Sequence, residues 1–199
     1  MVIKIMHHLY KNWAKYGLLL AAIMLAFLMN SFRVLSFAVI LVWLQFVVYL
    51  LHEFEEHVWP GGFKQFINQK IFHVFDKELP LNDANIFWIN ILAVWFLFPL
   101  FAVLSQYVSV PLGVLLPIFG LFNASLHIIF ALRFCCYNPG LVVSLILNYP
   151  TGIYTLYYFY QHELLLARAV WLAIVITLFM HALLLGYAVY RYRRQADGE

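Results

Sequence analysis

Residues 34–57 read VLSFAVILVWLQFVVYLLHEFEEH. No charge appears between Val34 and Leu51, and an uncharged apolar run of that length reads as a membrane span. The run then stops at His52-Glu53-Phe54-Glu55-Glu56-His57. A dense polar group therefore sits directly against an apolar helix.

The rest of the chain agrees. Of its 199 residues, 65% are hydrophobic and 11% charged. Soluble domains average about 25% charged and about 45–50% apolar residues. The difference excludes an ordinary soluble domain, a disordered chain and a nucleic-acid-binding module. Apolar segments recur over about 13–29, 34–57, 86–105, 111–134, 141–160 and 167–190. The expected fold class is all-α: one polytopic membrane helical bundle over 1–199, with about six transmembrane helices. The first segment follows Lys4, Lys11 and Lys15, as a signal peptide would, but no A-x-A-like cleavage site follows it. Retention of this helix is expected.

Six spans place both termini on one side. Ten of the 12 Lys and Arg fall on that side, among them Lys4, Lys11, Lys15, Lys64, Lys70, Lys77, Arg133 and Arg191. Only Arg33 and Arg168 fall opposite. The positive-inside rule then predicts cytoplasmic termini. Tyr154, Tyr157, Tyr158 and Tyr160 would form an aromatic belt at the outer interface. Adjacent Cys135 and Cys136 imply no disulfide framework.

In the longest connection, Pro60-Gly61-Gly62 stops the second span. Phe63, Phe66, Ile67, Ile71, Val74, Phe75 and Leu79 then recur at three- and four-residue spacing, with Asp76 and Lys77 among the polar residues between them. This pattern predicts an amphipathic interfacial helix over about 63–79. Asn82-Asp83 offers a cap for the third span. Pro99, Pro117 and Pro150 lie within spans and should distort them.

Ionisable groups in a span cost at least about 2.5 kcal/mol each for charged types, so they mark candidate sites. On a helix, Glu55 and Glu56 stand three and four residues after His52 and share its face. Glu53 and His57 point elsewhere, toward headgroups. The other reading of this run is a solvated helix end. His127 lies in the last third of span four, with Asn123 one turn earlier on the same face. Asn90, Asn148 and His181 fall in the same half of the bundle by depth. Asn90 and Asn148 read first as ordinary interhelical hydrogen-bond partners, and His181 as bonded to a carbonyl, with site membership the second reading. Asn138, in Asn138-Pro139-Gly140, reads as turn chemistry or as a polar group at the mouth of the site.

Two carboxylates and two imidazoles suit a divalent transition metal, Zn²⁺ ahead of Fe²⁺. His52, His127 and one or both of Glu55 and Glu56 would be ligands, and the other carboxylate a general base. A metal in the membrane's inner half points to a lipidic or amphiphilic small-molecule substrate.

The residues His52-Glu53-Phe54-Glu55-Glu56, Pro60-Gly61-Gly62-Phe63, Asn123-Ala124-Ser125-Leu126-His127, Arg133 and Tyr137-Asn138-Pro139-Gly140 together resemble the HXXEE-domain membrane proteins. The resemblance covers about 50–160. It implies that His52, Glu55, Glu56, Asn123 and His127 belong to a shared polar site, with metal-dependent hydrolysis as the expected chemistry. Two other classes stay open: a non-catalytic scaffold or binding protein, and a small-molecule or metal-ion transporter. Transport would need a path open to both sides, whereas the polar residues crowd one half.

Overall fold

The computed structural model describes residues 2–75 and 78–196. Helix α1 (Val2–Asn30) and helix α2 (Phe37–His57) form an antiparallel hairpin, so Trp13 near the start of α1 stacks on His57 at the end of α2. Ser36 caps α2 by accepting the Val39 N–H. A short α3 follows over 63–71, then α4 (Asp83–Tyr107), α5 (Val110–Phe134), α6 over 141–161 and α7 (Ala167–Ala196). Among the described residues there is no strand.

Lys4–Asn30, Phe37–His57, Asp83–Tyr107, Val110–Phe134 and Ala167–Arg194 are long and apolar enough to cross a membrane. Helix α6 does not join them. Asn148, Pro150, Thr151 and a row of tyrosines lower its hydropathy, although it lies alongside α2 and α5. Among the described residues five helices thus meet the requirement against about six expected, and α6, the remaining expected segment, is the most polar. Helix α1 begins well before residue 13, where the apolar segment starts.

Helix α2 is the hub. Buried residues make up 72% of its most apolar stretch, against 11% for α7. Val42 and Leu50 of α2, Phe98 of α4, Leu115, Leu116 and Phe119 of α5 and Phe159 of α6 make the core. On the outside, Leu172, Val175, Phe179 and Leu183 of α7 are exposed. Such a continuous apolar face is anomalous in water and ordinary against lipid. Helices in a bilayer associate through close packing and polar cross-links rather than through release from water. Both occur here. At Gly113 a β-carbon would overlap Val42 and meet Ser105 Oγ at 2.7 Å. Gln45 of α2 donates to Thr155 Oγ1 (2.8 Å) of α6, and Trp43 donates to Gln106 (3.1 Å) of α4.

The three intraspan prolines leave a common signature. Proline removes the hydrogen bond to the carbonyl four residues earlier. Those carbonyls belong to Trp95, Gly113 and Ile146. Each lies in a stretch that departs from the α form: a π stretch Ile91–Phe96, a 3₁₀ stretch Val110–Val114 and a π stretch Ser144–Asn148.

The connection after α2 differs from the expectation. The helix predicted over 63–79 stops at Ile71. His73 takes a left-handed conformation (φ 57°), and Asn68 pairs twice with the Leu81 backbone, at 2.8 and 3.0 Å. These bonds turn the chain back across the bundle, so Phe66 packs on Phe130 and Phe134 of α5. Segment 63–71 covers the end of the bundle. Asp76 and Lys77 lie outside the described residues. The Asn82 cap is present and is reciprocated by Asn85.

Candidate metal centre

The last two turns of α2 carry His52 and Glu56 one turn apart. Their side chains meet, with His52 Nε2 3.5 Å from Glu56 Oε1. Helix α5 brings His127 to the same oxygen, at 3.3 Å from its Nε2. The two imidazoles stand edge to face, 4.8 Å between centroids. His52, Glu56 and His127 are all buried, and their ligating atoms lie within 4.8 Å of one another.

Neighbouring side chains fix the presentation of these groups. Asn138 Oδ1 lies 2.6 Å from His127 Nδ1, and Asn138 Nδ2 donates to the His127 carbonyl (2.9 Å). A carbonyl oxygen accepts, so the His127 proton sits on Nδ1 and the Nε2 lone pair faces the centre. Asn123, one turn before His127, places its Nδ2 3.0 Å from His52 Nε2. His52 Nδ1 is buried without a partner. Gly140, at φ +99°, packs its backbone directly on the cluster. A β-carbon there would lie 2.6 Å from His127 Cε1, 2.7 Å from His52 Cε1 and 3.0 Å from Glu56 Cγ.

The donor set fits a divalent ion. Ligands at about 2.0–2.2 Å from a tetrahedral ion stand about 3.3–3.5 Å apart. The two carboxylate–imidazole separations already have that length. Two imidazole nitrogens and one carboxylate oxygen leave a fourth position open.

Glu55 does something else. It shares the face of His52, but it accepts from Tyr137 Oη (2.8 Å), Val142 N (3.0 Å) and Val143 N (2.6 Å). It is the anion at the N-terminus of α6, where unpaired amide groups favour negative charge. Partial burial and the bond to Glu55 push the Tyr137 hydroxyl pKa up, so it remains a donor. The expected pair of site carboxylates thus divides: Glu56 stands at the centre, while Glu55 ties α2 to the turn that carries Asn138 and Gly140.

Glu53 faces the interior, contrary to the expected headgroup orientation. It is fully buried and accepts from Trp95 Nε1 (2.9 Å) of α4. His57 also stays with the site, its Nε2 3.6 Å from Glu56 Oε2. Asn90, Asn148 and His181 do not reach the centre. Asn90 donates to Ile86 O of its own helix (2.9 Å), and His181 Nδ1 lies 2.8 Å from Thr177 O. Asn148 packs near Gly120. Sequence reasoning missed His57, Tyr137 and Gly140 as parts of the site. The Tyr137-Asn138-Pro139-Gly140 run was the available signal, but turn chemistry explains it equally, and the burial of Asn138 is visible only in the structure.

Two cavities meet at the centre. One, of about 570 Å³, lies between α4, α5 and α7; Phe119, Phe122, Leu126 and Leu185 line it, with Asn90 and His181 in its wall. The other, of about 450 Å³, is polar and lies between α1 and segment 62–65. Glu56, His57, Phe63 and Ile86 border both.

No curated protein and no solved structure matches the chain. The model of a protein family described as proteins of unknown function with an HXXEE motif matches residues 43–155, which carry His52, Glu55, Glu56, Asn123, His127, Asn138 and Gly140. The chain belongs to this HXXEE family.

Proposed function

We propose that this chain is an intramembrane metal-dependent hydrolase acting on a lipidic or amphiphilic substrate. The observation that supports it is the buried His52–Glu56–His127 cluster at the end of an apolar cavity of about 570 Å³. Ligand cavities commonly measure about 300–1,000 Å³ and join apolar walls to a few convergent polar groups. Zn²⁺ is the ion the donors favour, since imidazole and carboxylate are its usual ligands in hydrolases. When bound, it would supply Lewis acidity toward a carbonyl or phosphoryl oxygen and toward water.

The chain's own groups handle the protons. Ester hydrolysis removes one proton from water and delivers one to the leaving oxygen. Glu56 turns Oε1 to the histidines and Oε2 to His57, so this pair receives the first proton and returns it. Asn138 holds the His127 imidazole through Nδ1, whereas Asn123 Nδ2 covers the His52 Nε2 lone pair and would have to turn aside for an ion to take it; Glu55 is a positioning residue. The excess of Lys and Arg near the α1 start, the 58–85 connection and the α7 end supports a cytoplasmic position for the centre.

The test uses the full chain in detergent micelles with a panel of long-chain esters and phosphoesters. Zinc-dependent hydrolysis is expected, abolished by chelation, restored by zinc and lost in Glu56→Gln. A zinc-loaded protein that hydrolyses no member of the panel would overturn the hydrolase reading. Proteoliposome uptake or a zinc-free folded protein would favour the transporter or scaffold instead.

A further inference from the structure

The two cavities differ in chemistry and share a border. The larger is walled by aromatic and aliphatic side chains. The smaller takes Lys11 and Lys15 of α1, Lys64, and Asp83. Lys64 is already engaged, donating to Asp83 (2.6 Å) and Glu78 (2.8 Å). Among the described residues Lys11 has no carboxylate partner, and Lys15 donates only to Asn12. Lys11 and Lys15, one helical turn apart, thus line this polar cavity without an ion-pair partner among the described residues, because its two carboxylates are taken up elsewhere: Asp83 by Lys64, and Glu56 by His52 and His127. Glu56 and His57 stand where this cavity meets the apolar one.

Resting on the reading above, we propose that the substrate is an amphiphile with an anionic, phosphate-type head. Its head lies against Lys11 and Lys15, its alkyl chain occupies the cavity between α4, α5 and α7, and the bond to be cleaved passes Glu56. Placement follows from the walls. An alkyl chain gains nothing among lysines, and an anion loses its hydration without replacement among Phe119, Phe122 and Leu185. Ammonium groups bind phosphate as point charges and need no fixed geometry, which suits exposed side chains on one helix.

Binding, not turnover, tests this. Native mass spectrometry of the full chain in neutral maltoside micelles compares dodecyl phosphate, dodecyltrimethylammonium and inorganic phosphate, with zinc content measured on the same samples. Wild type should bind dodecyl phosphate about tenfold more tightly than either other probe. Lys11→Glu/Lys15→Glu should erase the preference over the cationic probe, and both sites are exposed, so the fold is kept. Ala93→Trp, which fills the apolar cavity, should weaken both alkyl probes equally. Equal affinity for the two alkyl probes in wild type would overturn the proposal. So would a phosphate preference that survives the double charge reversal, or inorganic phosphate binding as tightly as dodecyl phosphate. Zinc retained with no preference sinks this inference alone; a preference without zinc sinks the metal reading alone.

Discussion

Replacing Gly140 by alanine puts a methyl group where the cluster already is. The new carbon would stand 2.6 Å from His127 Cε1, 2.7 Å from His52 Cε1 and 3.0 Å from Glu56 Cγ. Ordinary carbon–carbon contact is about 3.5–4.0 Å, so each ring must retreat by roughly 1 Å. Retreat is opposed on both sides: His52 is fully buried, and His127, although it borders the larger cavity, is held twice by Asn138. Overpacking of this kind costs about 1–3 kcal/mol. The left-handed backbone at φ +99° adds about 1–3 kcal/mol for any residue with a β-carbon. Metal sites tolerate deviations of about 0.2 Å, so the displacement should also lower zinc affinity by more than tenfold. Gly62 is the control. Its φ is +97°, but a β-carbon there would meet only Pro139 Cγ, at 3.7 Å. Gly62→Ala therefore carries the backbone strain without the clash. Thermal unfolding in micelles together with zinc content reads both effects. Gly140→Ala should unfold at lower temperature than Gly62→Ala and lose its zinc, while Gly62→Ala keeps it. Equal unfolding temperatures, or zinc retained in Gly140→Ala, would refute the packing argument.

Other substitutions separate roles that proximity alone would merge. Glu55→Ala leaves Val142 N, Val143 N and Tyr137 Oη without their acceptor, and should cost about 2–4 kcal/mol in denaturant or thermal unfolding. Asn138→Ala frees His127 Nδ1 and should weaken zinc binding about 10–100-fold by competition with a chelating dye. Asn138→Asp, which keeps an acceptor, should recover most of that loss. Partial burial would by itself lower the Lys64 pKa, but the hydrogen bonds and charges of Asp83 and Glu78 outweigh it and raise it. A raised lysine pKa gives stability that is complete below the ordinary lysine value and fades as pH climbs past the raised one. Lys64→Met should therefore lower the unfolding temperature at neutral pH, with the difference shrinking only at strongly alkaline pH.

Depth along the bundle could be read from the sequence; rotation about each helix axis only partly. His52, Glu56, Asn123 and His127 were found because two pairs at helical spacing predict two facing surfaces. Glu55 occupies the same predicted face. The N-terminus of α6, far away in sequence, claims its carboxylate, and no local pattern announces that. Glu53 looked outward-facing because charged residues at a span's end usually are, yet the Trp95 indole was waiting across the interface with α4. Asn90 and His181 turn to their own helix backbones instead, and Asn148 Nδ2 is buried without a partner. The 63–79 helix illustrates a different limit. Its apolar periodicity runs on past Ile71, but the tertiary pairing of Asn68 with Leu81 outweighs the local preference. Gly140 was hidden for a simpler reason: in an Asn-Pro-Gly turn, glycine already has an explanation.

Metal content of the purified full chain, by elemental mass spectrometry, tests the core of this account most directly. Near one zinc per chain is expected in wild type and in Glu55→Gln, and close to none in His52→Ala, Glu56→Gln or His127→Ala. A wild-type chain that stays folded and never takes up a divalent ion would contradict it, as would variants at those three positions that hold zinc as well as wild type does.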